Sequence, residues 1–139
     1  MIKSIYPVLM TEKLEESCLF YKNYFGFTEA FTSDWYVSLS HPDGHELAFI
    51  EAGHDTIPES GRAIIQGMIL NIEVENAAQM YAEITKKAEG IVIMPLRDEA
   101  YGQRHFIMQD PNNIIVDIIE AIPPSKEFQE NYNVGEIPS

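Results

Sequence analysis

The chain repeats itself, and the repeat limits what it can fold into. Leu14, Cys18, Tyr21 and Phe25 recur at i, i+4, i+7 and i+11, the spacing of one helix face. Ala77, Tyr81, Ile84 and Ala88 keep the same spacing 63 residues further on. A strand-like stretch precedes each helix, at 2–10 and 69–74. Thr11 and Asn76 are the expected N-caps, and Gly26 is placed to end the first helix. Three further strands are expected after each helix, at 27–31, 35–40 and 46–51, then at 90–94, 105–109 and 114–122. Late in each half the offset grows to 69: "HPDG" (41–44) matches "DPNN" (110–113), and "FIEA" (49–52) matches "IIEA" (118–121). The second half therefore carries about six extra residues, expected in a loop at "LRDEAYGQ". The pattern is a duplicated strand–helix–strand–strand–strand unit, an α+β design.

A length of 139 residues with 45% hydrophobic content supports a packed core rather than disorder. Twenty-two acids against nine bases give a net charge of −13, which repels nucleic acid and favours cationic or neutral ligands. Cys18 is the only cysteine, so no intrachain disulfide forms. The N-terminus "MIKSIYPVLM" lacks the long apolar region of a signal peptide, and no stretch approaches membrane-spanning length. A cytoplasmic protein that contacts neither membrane nor nucleic acid is expected.

Two stretches point to a family. "KLEESCLFYKNYFGF" resembles the first helix of the vicinal oxygen chelate superfamily, which includes glyoxalase I, bleomycin-resistance proteins and extradiol dioxygenases. "QDPNNIIVDIIEA" resembles its closing aspartate–proline hairpin and last strand. The resemblance covers residues 2 to about 122. It implies two tandem βαβββ modules whose curled mixed sheets form a cleft, module one at 1–53 and module two at 67–122. Together they make a domain of residues 1–122, with 123–139 as a C-terminal extension: either Phe128 and Tyr132, four apart, form a helical turn that docks on the body or on a second chain, or the extension is a disordered polar tail. A homodimer is implied as well.

Enzymes of the superfamily hold a divalent metal with one residue from the first and one from the fourth strand of each module. The resemblance carries these positions onto Tyr6, Ala48, Ile69 and Asp117. Alanine and isoleucine have no donor, and neutral tyrosine is a poor ligand because its pKa is near 10. A two-residue slip would replace Ala48 by Glu46, still leaving only two carboxylates. No metal and no cofactor are expected. His41, His45 and His54 sit in turns and loops, whereas His105 opens a strand beside Arg104.

Strand alternation turns Tyr6, Val8, Glu46, Ala48, Ile50, Ile69, Asn71 and Asp117 to one side, with Ile5, Leu9, Leu47, Phe49, Leu70, Ile72 and Val74 packed on the helices. Tyr6, Trp35, Glu46, Asn71, His105 and Asp117 are the expected ligand contacts: polar groups and aromatics on an apolar ground suit a small organic ligand, cationic or aromatic. Arg97 or Arg104 would suit an anionic group. The leading expectation is metal-free binding of such a molecule, as in drug sequestration. The alternatives are a metal-dependent glyoxalase- or dioxygenase-like enzyme, or a metal-free lyase or isomerase with Asp117 or Glu46 as base. Cys18, on the buried helix face, is expected to be inert.

Overall fold

The computed structural model describes residues 1–133. They form two compact units: Met1–Gly67 with Asp110–Asn113, and Met68–Gln109 with the chain from Ile114 onward.

The first unit contains β1 (Val8–Thr11), α1 (Leu14–Phe25), β2 (Thr28–Thr32), β3 (Tyr36–Ser40) and β4 (Glu46–Glu51), with a short 3-10 turn at Glu59–Gly61. Its sheet has the order β1-β4-β3-β2. The β1–β4 pair is parallel and the others are antiparallel. Strand β1 starts at Val8, not at Ile2, and residues 1–7 are exposed. Pro7 explains the late start: it has no N–H for a ladder and restricts Tyr6 before it, although its carbonyl still accepts from the Ala48 N–H.

Lys13, not Thr11, occupies the N-cap of α1. Thr11 is still strand and fully buried, and its hydroxyl accepts the Lys13 N–H at 2.8 Å. Gly26 closes the helix at φ 75°, a left-handed conformation that glycine adopts without steric cost. The helix buries Cys18, Phe20, Tyr21 and Phe25 and packs on β3 and β4, with Tyr21 against Phe49. Tyr21 is the hub: its ring contacts Phe20, Phe25, Phe27 and Phe49, and its hydroxyl donates to Asp110 Oδ2 at 3.0 Å. Burial and Asp110 both push the Tyr21 phenol far above its usual range, so the hydroxyl stays a donor.

The second unit repeats the design with β5 (Ile69–Glu73), α2 (Ala77–Lys87), β6 (Val92–Glu99), β7 (Gln103–Gln109) and β8 (Ile115–Ala121), in the order β5-β8-β7-β6. Asn76 caps α2 by accepting the Gln79 N–H at 2.9 Å, as its residue type predicts. The two repeat offsets are visible in the pairing. Val8 faces Ala48; moving them by 63 and 69 residues gives Asn71 and Asp117, which also face each other.

The six extra residues do not form a loop. Strand β6 runs on to Glu99 and β7 begins at Gln103, so the insertion lengthens a hairpin whose turn is only Ala100–Gly102. Two register irregularities in β6, between Val92 and Met94 and between Met94 and Arg97, absorb the mismatch with β7. After β8, Pro123 and Pro124 end the sheet and a short helix, α3 (Lys126–Gln129), follows. The part of the C-terminal extension from Val134 onward lies outside the described residues. Among the described residues, no helix is long and apolar enough to cross a membrane.

Candidate functional site

The lengthened hairpin creates a polar cluster on one face of the second sheet. Phe106 packs its ring on Tyr81 of α2, with centroids 5.2 Å apart, so the even-numbered residues of β7 face the helix. By alternation His105 faces the opposite side. Residues paired across an antiparallel ladder share a face, which brings Arg97 to His105 and Asp117 to Ile107. Asn71 lies beside Asp117 on the parallel partner. One sheet face thus carries Arg97, Glu99, His105, Asp117 and Asn71 on a ground that includes Ile69, Ile107 and Ile119.

His105 is the centre of this cluster. It is 4% exposed and bonded at both ring nitrogens. Nδ1–H donates to Asp117 Oδ1 at 2.8 Å, and Nε2–H donates to Glu99 Oε2 at 2.8 Å. Where both carboxylates are ionised they only accept, and the arrangement then pairs them with a doubly protonated ring, an imidazolium. Burial works against that charge, but the hydrogen bonds to Glu99 and Asp117 outweigh it and raise the His105 pKa above 6.5. Arg97 Nε donates to the same Glu99 oxygen at 2.7 Å. The bonds from His105 and Arg97 hold the Glu99 carboxyl below the usual carboxylate range. Counting Arg97, Glu99, His105 and Asp117, the cluster is electrically neutral.

The structure distributes the six expected contacts between the units. His105 and Asp117 are bonded to each other, and Asn71 is exposed next to Asp117. In the first unit, Tyr6 is 44% exposed and precedes β1, while Glu46 is exposed where β4 begins. Both lie near Tyr36, whose phenol pKa is raised by burial and then by Tyr6 and Glu46. Trp35 stacks flat on His54, centroids 3.7 Å apart, so one of its faces is already covered.

Glu99 was not among the expected contacts. It lies in "LRDEAYGQ", which is polar and contains a glycine and so reads as a loop. Arg97 and Arg104 do not offer open anion sites: Arg97 pairs with Glu99, and Arg104 makes two bonds to Asp98. Cys18 is buried, which together with Glu29 pushes its thiol up to about 11.

The four metal positions implied by the resemblance do not fit an ion. The pairing of Val8 with Ala48, equivalent to that of Asn71 with Asp117, leaves no slip that would bring Glu46 into the place of Ala48. Ile69 is a 62% exposed hydrocarbon side chain, and the Asp117 carboxylate already holds the imidazolium. Among the described residues, no group of three or more His, Cys, Asp or Glu is arranged to hold a metal ion.

Two tandem βαβββ units with equivalent sheet order define a class of α+β protein. The model of the Glyoxalase/Bleomycin resistance protein/Dioxygenase superfamily matches residues 4–118, and the chain belongs to that superfamily. No curated protein matches the chain significantly. Among solved structures, it is similar to a glyoxalase-related enzyme from Fulvimarina pelagi, with 20% identity, a TM-score of 0.67, and coverage of 86% of this chain and 88% of that one. A glyoxalase/bleomycin resistance protein/dioxygenase family enzyme from Burkholderia phytofirmans PsJN shares 16% identity and a TM-score of 0.68, covering 84% and 97%. Lactoylglutathione lyase from Agrobacterium tumefaciens shares 15% identity and a TM-score of 0.67, covering 86% and 94%. These likenesses establish the fold.

Proposed function

We propose that this chain binds a small organic molecule without the metal of the superfamily's enzymes. In the second unit the contacts are Asn71, His105 and Asp117; in the first they are Tyr6, Trp35 and Glu46. The observation that supports this reading is the fate of Asp117. It is the one side chain of suitable chemistry at the four metal positions, and it is bonded to His105 instead. A neutral cluster of donors and acceptors on an apolar sheet face suits an aromatic ligand that carries hydrogen-bonding groups. Any preference for cations must then come from the net charge of −13 through long-range steering, because the cluster offers no surplus negative charge. Drug sequestration of the bleomycin-resistance kind is one such role.

A thermal-shift screen against cationic glycopeptides and other aromatic compounds tests the reading. At a concentration a hundredfold above Kd, a true ligand adds about 2.7 kcal/mol of stability. The expected result is a rise in Tm that Asn71→Leu reduces. No shift with any compound of these classes contradicts the proposal.

A further inference from the structure

The chain after β8 turns back onto the hairpin that carries Arg97, Glu99 and His105. The Ser125 N–H donates to the Ala100 carbonyl at 2.8 Å, and the Ile122 N–H donates to the Gly102 carbonyl at 3.0 Å. The Tyr132 hydroxyl donates to the Tyr101 carbonyl. Phe128 meets the Tyr101 ring edge-on, with centroids 6.1 Å apart. All three residues of the turn that joins β6 to β7 are therefore held from the C-terminal side.

The fit is close at Gly102. Its φ is 111°, and a Cβ there would stand 3.0 Å from both the Ile122 carbonyl oxygen and the Tyr132 hydroxyl. Only glycine lets the turn and the returning chain approach so closely. The Gly102 N–H in turn donates to the Glu99 carbonyl at 3.0 Å. Tyr101 lies close enough to Glu99 and Asp117 for their charges to help raise its phenol pKa, after burial. Glu99 is the last residue of β6, an irregular strand that forms the edge of its sheet among the described residues. Unlike Asp117, which is held between β5 and β7, it depends on the turn for its place.

We infer that residues 122–132 are a positioning element of the candidate site: by clamping Ala100–Gly102 they keep the Glu99 carboxylate on His105 Nε2. This rests on the reading of the Glu99–His105–Asp117 cluster as part of the binding site. Phe128 and Tyr132 act through the turn, on the ring and the carbonyl of Tyr101.

Side-chain NMR of the 15N-labelled full chain, recorded without ligand, tests the inference. In the unaltered chain both ring nitrogens of His105 have carboxylate partners, so two separate, slowly exchanging N–H signals are expected. In the double variant Phe128→Ala with Tyr132→Phe, the Nε2–H signal is expected to be lost to water exchange. The Nδ1–H signal, bonded to Asp117, persists. Phe128→Leu, which keeps apolar contact with Tyr101, retains both. Retention of the Nε2–H signal in the double variant overturns the inference. If both signals vanish, Tyr132→Phe alone decides by the same criterion, because it deletes a single hydroxyl. A failed ligand screen leaves this result intact, so failure of the clamp and failure of the binding reading are told apart.

Discussion

Replacing Tyr21 with alanine is expected to cost the first unit about 3–5 kcal/mol, the usual penalty for emptying an aromatic site in a closed core. The side chain is fully buried, and the rings of Phe20, Phe25, Phe27 and Phe49 surround it. These rings come from α1, β4 and the α1–β2 connection, so no single side chain can shift into the void. The loss has a polar part too. Without the hydroxyl, Asp110 Oδ2 loses a donor at a site only 3% exposed. Tyr21→Phe isolates that part, at about 1–3 kcal/mol. Urea denaturation measures both. An alanine variant within 1 kcal/mol of the parent would mean that the aromatic cluster is not the core of this unit.

His105→Leu is expected to have the second largest effect, and one that depends on pH. The leucine fills most of the space but leaves the Asp117 carboxylate without its imidazolium donor, a loss of about 1.5–3 kcal/mol for a hydrogen bond between charged groups. Both carboxylates of the cluster keep some access to water, which holds the cost toward the lower end. The pH profile follows from the raised pKa. A histidine whose folded-state pKa lies above its unfolded value contributes its full stabilisation below about pH 6.5. It loses that contribution as the pH rises through the folded-state pKa. The Tm of the unaltered chain should therefore fall as the pH rises above about 6.5 and through the raised His105 pKa, and this fall should be absent in His105→Leu. A parent Tm that rises over that interval, or an identical slope in the variant, contradicts the assignment of His105 as an imidazolium.

The architecture was legible in the sequence because both helices show their period openly. The spacing from Leu14 to Phe25, repeated from Ala77 to Ala88, and the two matched turns locate both helices and the last hairpin of each unit. Strand parity placed Asn71 and Asp117 on one face, and the pairing agrees. What composition and spacing could not give is the part that depends on register. The residues Leu96–Gln103 are polar and contain a glycine, so they look like a loop. They form strand because Arg97, Asp98 and Glu99 pair with His105, Arg104 and Gln103. The irregularities in β6 decide which of them face the cluster, and nothing local in the sequence marks those irregularities. Glu99 was missed for that reason.

The duplication explains why only one unit carries the cluster. At the positions equivalent to His105 and Asp117, 69 residues earlier, the first unit has Tyr36 and Ala48, and its β2–β3 hairpin has no counterpart of Glu99. The six-residue extension supplies both Arg97 and Glu99. The same change therefore lengthens the hairpin and completes the partners of the imidazolium.

The central claim is that Asp117 is committed to His105 rather than available to an ion. Calorimetric titration of the purified, chelator-treated chain with zinc, nickel, manganese and iron(II) tests it most directly. The account predicts no saturable binding at one ion per chain for any of them. One tightly held ion per chain, released by Asp117→Ala, would contradict it.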